Sequence, residues 1–302
     1  MRWAGRIARS NIVMKVQVLI ENTIESSNNS NLKPEHGLSI FIEYKDKKIL
    51  LDAGTTSTFM ENAKNMDVDI ENADFCVLSH GHYDHSGGFA KYLEENHNKK
   101  VYAMKTSIEE YYSGSGGHIH EIGVPKEVYP KYKDNFILID EAFVDKGVEI
   151  SEGIFIIPHN TKGLEKIGER AKLYKKVDDD YVPDDFSHEL SLVFDTEKGL
   201  VVFNSCSHSG IINIMEEIKK YFGNRAIYAF FGGLHMKGMK DNVEICTFSE
   251  AEIEGMADYL KENGLTKLYT GHCTGLVGFK LIKNYMQDGV EYINTGKTIS
   301  IN

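Results

Sequence analysis

Four side chains able to ligate a divalent ion, His80, His82, Asp84 and His85, lie within six residues just after the apolar segment Phe75-Cys76-Val77-Leu78. An apolar run that short reads as a buried strand. The chain must therefore end a strand there and splay four ligands from the loop beyond it. Imidazole nitrogen and carboxylate oxygen are the usual donors to zinc and similar ions. Catalytic zinc takes three protein ligands and a water. Two histidines two apart, followed by an adjacent Asp-His pair, thus suit two ions better than one. Gly81, with no side chain, is expected to let the loop turn sharply.

Three further histidines stand in the same relation to a strand. His208 follows the apolar strand 200–204, His235 follows 227–231, and His272 follows 267–270, each beside glycines and before a helix or loop. In open α/β sheets, ligand sites form at the carboxyl ends of strands, so four strand ends carrying histidine point to one rim. Any one of these three alone would more often be a packed or surface residue; the run at 80–85 raises them together. Cys206 and Cys273 flank His208 and His272, and read as small buried residues rather than ligands. His118 and His120 read as surface residues. Lys162, Lys166, Arg170, Lys172, Lys175 and Lys176 read as a solvated helix face, one that could meet a phosphate.

Along the chain, strands at 14–20, 38–44 and 48–52 precede helical spacing over 56–66. The strand 75–78 leads to a helix over 86–96 with Ser86 as N-cap. Later, strands alternate with helices over 209–222, 248–263 and 276–288. Early hairpins followed by alternating strands and helices predict an α/β fold, a mixed sheet covered by helices. The middle, about 105–188, holds a Gly/Ser patch at 113–117 and an acidic cluster at 178–185. It reads as an insertion into a domain spanning 14–302, able to shape a substrate pocket. Residues 1–13 lack a hydrophobic block and a cleavage site, and read as an extension ahead of the strand that Met14 opens.

The 302 residues, 41% of them hydrophobic, suffice for a real core. With 45 acidic against 34 basic residues the formal net charge is −11, which argues against long nucleic acids, whose binding needs clustered Lys and Arg. A small phosphorylated substrate stays compatible, since one pocket can be locally positive. No apolar run is long enough to cross a membrane. Four widely spaced cysteines, Cys76, Cys206, Cys246 and Cys273, without a Cys-x-x-Cys pair, fit reduced thiols and a cytoplasmic location.

Residues 80–85 resemble the His-x-His-x-Asp-His signature of the metallo-β-lactamase superfamily, and the resemblance runs from Met14 through nearly the whole chain. Leu51-Asp52-Ala53-Gly54 is similar to its first motif, Cys206-Ser207-His208-Ser209-Gly210 to its third, and Thr270-Gly271-His272 to its last. The details resemble the branch of hydrolase-like proteins related to 7,8-dihydropterin-6-methyl-4-(β-D-ribofuranosyl)aminobenzene-5′-phosphate synthase. The resemblance implies a four-layer αβ/βα sandwich of two mixed sheets with outer helices. It also implies two divalent ions, zinc first with manganese or iron as alternatives. His80, His82 and His208 would hold one, and Asp84, His85 and His272 the other, with Asp52 orienting a ligand histidine from behind. The superfamily's bridging aspartate falls near Gly232-Gly233-Leu234-His235, where no Asp occurs.

The expected activity is hydrolysis of a small phosphate ester or diester by a binuclear metal-dependent enzyme, phosphodiesterase-like in chemistry. Water between the ions has its pKa lowered from near 16 toward about 7. Asp84 would ligate and also take a proton, and His235 would contact the leaving group or phosphate. Two other readings stay open: a pterin-phosphate synthase-like enzyme, for which Tyr111, Tyr112 and Phe186 offer aromatic surface, and a non-catalytic metal-dependent ligand-binding protein.

Overall fold

The computed structural model describes residues 14–25, 31–140 and 147–302; the expected extension at 1–13 lies outside them. The strand-forming segments are apolar on both faces because each ends up covered on both sides. Two seven-stranded sheets result. The first runs in the order Thr298–Ile301, Met14–Ile20, Ser39–Tyr44, Lys47–Leu51, Phe75–Val77, Val101–Met104 and Phe136–Ile139. The second runs Val290–Tyr292, Lys267–Thr270, Ile227–Phe231, Gly199–Phe203, Leu190–Thr196, Ile154–Pro158 and Val148–Ser151. Each is antiparallel at one end and parallel at the other. The last strand crosses back to the first sheet, pairing Ile301 with Met14.

Strand periodicity sorts the core into three layers. Val16, Ile40, Ile42, Leu51 and Val77 of the first sheet meet Ile156, Leu192, Phe194, Val201, Phe203 and Phe231 of the second between the sheets. Alternate residues of the same strands point outward. Phe41, Leu50 and Cys76 pack under helices Thr58–Asn65 and Phe89–Glu95. Leu200, Val202 and Phe230 pack under Ile211–Phe222, Glu250–Glu262 and Gly275–Met286. Helix, sheet, sheet, helix is the four-layer arrangement expected. A side chain buried this way is worth roughly 1.5–3 kcal/mol, so the three apolar layers dominate what holds the sheets in register. No helix among the described residues is long and apolar enough to cross a membrane.

Three local expectations differ. In place of one helix over 86–96 there are two, Tyr83–Ser86 and Phe89–Glu95, separated at Gly87-Gly88. Ser86 is no cap, its Oγ donating instead to the His82 carbonyl at 2.8 Å. The basic stretch is helical only over Glu165–Ala171; Lys172 is left-handed (φ 56°) and Leu173–Val177 is a strand. Arg170 pairs with Glu252, Lys175 with Asp185 and Lys176 with Glu110, so these charges are engaged within the chain. Finally, 105–188 is not one continuous insertion. Phe136–Ile139, Val148–Ser151 and Ile154–Pro158 are core strands, while Tyr111–Ser113, His120–Glu121, Leu173–Val177 and Asp180–Pro183 form a separate four-stranded sheet.

Candidate metal centre

Parallel neighbours end on the same edge, and the strands ending at Leu51, Val77, Phe203, Phe231 and Thr270 deliver Asp52, the 80–85 loop, His208, His235 and His272 to one rim. The rim is stitched across the two sheets: Leu190 N donates to Ser79 O at 2.9 Å, and Ser205 Oγ to Asp52 Oδ2 at 2.6 Å. Gly81 does not sit at a positive φ. A Cβ there would lie 2.5 Å from Ser107 O, so its glycine serves close approach rather than the expected sharp turn.

Ligand atoms of His80, His82 and His208 converge within 4.8 Å of one another. The Nε2 atoms of His80 and His208 are 3.3 Å apart. Beside them, His85 Nε2 lies 3.2 Å from His272 Nε2 and 3.7 Å from Asp84 Oδ2, and His272 Nε2 lies 3.4 Å from the same oxygen. The His80 and His85 rings are 4.2 Å apart between centroids, so the two groups abut. All six side chains are buried.

Hydrogen bonds behind the rings set which nitrogen faces inward. Ser79 Oγ gives its only proton to Asp52 Oδ2 (2.7 Å), so it accepts from His80 Nδ1–H (2.8 Å), leaving Nε2 a lone pair. His85 Nδ1–H donates to Asp52 Oδ2 (2.7 Å) and His272 Nδ1–H to Asn22 Oδ1 (3.0 Å), again freeing Nε2. His82 Nε2 is buried with no hydrogen-bond partner in the protein. Lone pairs turned toward one another, together with a buried orphan nitrogen, are what a cation site leaves when only the protein is counted. The donor set fits two divalent ions.

Electrostatics agree for His80, His82 and His208. Burial, then neighbouring histidines, hold His80, His82 and His208 well below the usual imidazole range, which keeps them neutral. Burial opposes the charged form of Asp84, but His85 and His272 hold its carboxyl well below the usual range. For His85, burial pulls down while the Asp84 and Asp52 carboxylates prevail, pushing it up to about 9, so the ion-free ring is protonated at neutral pH and a cation at Nε2 takes the place of that proton.

Residues 32–192 match the metallo-beta-lactamase superfamily. The chain belongs to that superfamily. One Methanocaldococcus jannaschii protein, named 7,8-dihydropterin-6-methyl-4-(beta-D-ribofuranosyl)-aminobenzene-5′-phosphate synthase, is 28% identical over 287 residues, 90% of this chain and 92% of that one. A second protein of that organism, described as uncharacterized, is 31% identical over 291 residues, 95% of this chain and 100% of that one. The crystal structure of a metal-dependent hydrolase of the beta-lactamase superfamily aligns with TM-score 0.77 at 26% identity, covering 96% of this chain and 99% of that one.

Several supports of this candidate centre carry no motif. Glu189 accepts from His208 N (2.7 Å) and Ser209 N (2.9 Å), and Phe186 stacks on the His208 ring at 5.1 Å. His188 accepts from Gly81 N (3.0 Å) and donates to Asp184 Oδ2 (3.0 Å), pinning the ligand loop. His36, exposed on the rim, brings Nε2 within 3.4 Å of Asp84 Oδ2. It precedes the strand Ser39–Tyr44 with no neighbouring pattern to flag it. His235 packs on His208 at 4.4 Å between ring centroids. His118 and His120 pair with each other at 5.2 Å, beside the small sheet. Tyr111 and Phe186 are fully buried, so of the three aromatics proposed for a pterin only Tyr112 is partly open.

Proposed function

We propose that this superfamily member is a binuclear metal-dependent hydrolase acting on a small phosphate ester or diester. The observation that carries the reading is the abutment of His80, His82 and His208 with Asp84, His85 and His272, the 4.2 Å spacing of the His80 and His85 rings joining the groups. Two divalent ions, zinc in first place, would supply Lewis acidity and water acidified to near neutral pH, and paired ions suit a displacement with both attacking and leaving oxygens to stabilise. Asp52, fixed between Ser79, Ser205 and His85, holds the His85 ring in one tautomer and both sheets in register. Asp84, at the open side of its group, offers a carboxylate that can take up a proton. His235, against His208, is placed to contact a phosphate or leaving group, and His36 flanks the other end beside Asp84. The small four-stranded sheet would shape the substrate pocket.

Bis-p-nitrophenyl phosphate assayed with the metal-free chain, and again after adding Zn²⁺ or Mn²⁺, tests this directly. Turnover is expected only with metal. Its absence with both metals, across a panel of phosphate esters, would sink the phosphoesterase reading. The 28% identity to the named pterin-phosphate synthase favours a second reading, addition to a dihydropterin phosphate. Calorimetric binding of such a compound, with no ester turnover, would select it.

A further inference from the structure

The proposed centre is short of negative charge. Asp84 is the one carboxylate among six residues facing two dications, and Asp52 is spent behind His85. An aspartate at 232–233 cannot make up the deficit. A Cβ on Gly232 would stand 1.8 Å from the Asn204 carbonyl oxygen, a backbone atom unable to move aside, and one on Gly233 would stand 2.2 Å from Cys273 Sγ. Sulfur occupies the space such a side chain would need.

Two thiols meet there. Cys206 and Cys273 are both free, and their sulfurs lie within 4.8 Å of each other and of a His272 ring nitrogen. Cys206 Sγ is also 3.3 Å from His85 Nε2 and belongs to a second converging group, with His80 and His85. His80 is in the first proposed ligand set, and His85 and His272 in the second. Among the described residues, Cys206 is therefore the side chain beyond those six whose donor atom converges with donors of both sets. It is buried, and it reaches the rim because it starts the same loop that carries His208.

We infer that the Cys206 thiolate would be a ligand to this metal pair, standing in for the absent aspartate. The inference rests on the two-metal reading above. On binding, the Cys206 sulfur gives its proton to solvent and its lone pairs to the ions, since a coordinating thiol is deprotonated outright. Cys273 keeps the neighbouring volume filled, and its Sγ donates to the Cys206 carbonyl at 3.5 Å. A soft sulfur ligand biases the site toward zinc or iron and away from magnesium or calcium. Gly233 then has a reason to lack a side chain, since it leaves room for the Cys273 sulfur, while Gly232 clears the Asn204 carbonyl.

Cobalt(II) loaded into the full chain gives a readout independent of activity. The wild-type spectrum is expected to show an intense near-ultraviolet sulfur-to-cobalt charge-transfer band beside the weak visible bands. Cys206→Ser should keep cobalt on the histidines, lose that band and hold the second ion about 10–100-fold more weakly. Cys273→Ser should keep the band; that variant and the wild type decide the matter even if Cys206→Ser fails to fold. Two bound cobalt ions without the band would overturn the inference and leave the metal reading standing. A band that survives Cys206→Ser, or vanishes in Cys273→Ser, overturns it as well. A chain that takes up no cobalt contradicts the metal centre itself, and the thiolate ligand with it.

Discussion

Replacing His82 with alanine is expected to lower metal-dependent phosphodiester turnover by on the order of a thousandfold or more, to the level of the metal-free chain. The first ligand group has three members, and catalytic zinc needs three protein donors. Removing one leaves the first ion two imidazoles, His80 and His208, and only a share in the Cys206 sulfur inferred above, short of the three full donors it needs. The fold should survive, because His82 Nε2 bonds nothing in the protein and its ring meets other rings of the rim, His80 at 4.6 Å, His208 at 4.9 Å, His188 at 5.2 Å and Tyr111 at 6.0 Å, rather than the layers between sheets and helices. Circular dichroism and thermal unfolding should therefore change little while kcat collapses. Retained turnover in a folded His82→Ala variant would show the ligand set to be wrong.

Asp52→Ala is expected to act on stability as much as on metal. The carboxylate is fully buried at a positive φ of 57°. It accepts from Ser79 N, Ser79 Oγ, Ser205 Oγ and His85 Nδ1, between 2.6 and 2.8 Å. Deleting it orphans four buried donors, each costing about 1–3 kcal/mol unless water reaches them. A loss of at least ~3 kcal/mol follows, measurable by urea unfolding. Asp52→Asn keeps the shape but not the charge, and should mainly weaken the ion at His85 by about 10–100-fold. If Asp52→Ala unfolds like wild type, the cross-sheet anchor is not where the stability lies.

How much of this was legible beforehand follows from how local each signal is. The strand leading to His80 and the strands before His208 and His272 are short apolar runs ending in ligand-type residues, so the rim could be read without coordinates. Hairpins giving way to alternating strands and helices pointed to a mixed sheet covered by helices; the second sheet and the four layers came from the resemblance of the motifs. What stayed hidden depends on contacts between distant segments. Glu189 accepts from His208 N and Ser209 N, 19 and 20 positions away, His188 from Gly81 N, 107 away, and Asn22 from His272 Nδ1, 250 away. His36 reaches the rim only because its loop folds against Asp84, with Leu38 N donating to Asp84 O. Cys206 looked like filler because its spacing to His85 means nothing until the sheets face each other. The 105–188 stretch misled because its three core strands are short, two of them joined by the polar turn Glu152-Gly153.

The central claim, two adjoining ligand sets that hold two ions, is tested most directly by counting metal. The chain dialysed against zinc, stripped of loose ions and measured by inductively coupled plasma mass spectrometry should carry about two zinc ions per chain, and His208→Ala about one. A wild-type chain holding one ion or none after saturation would contradict it.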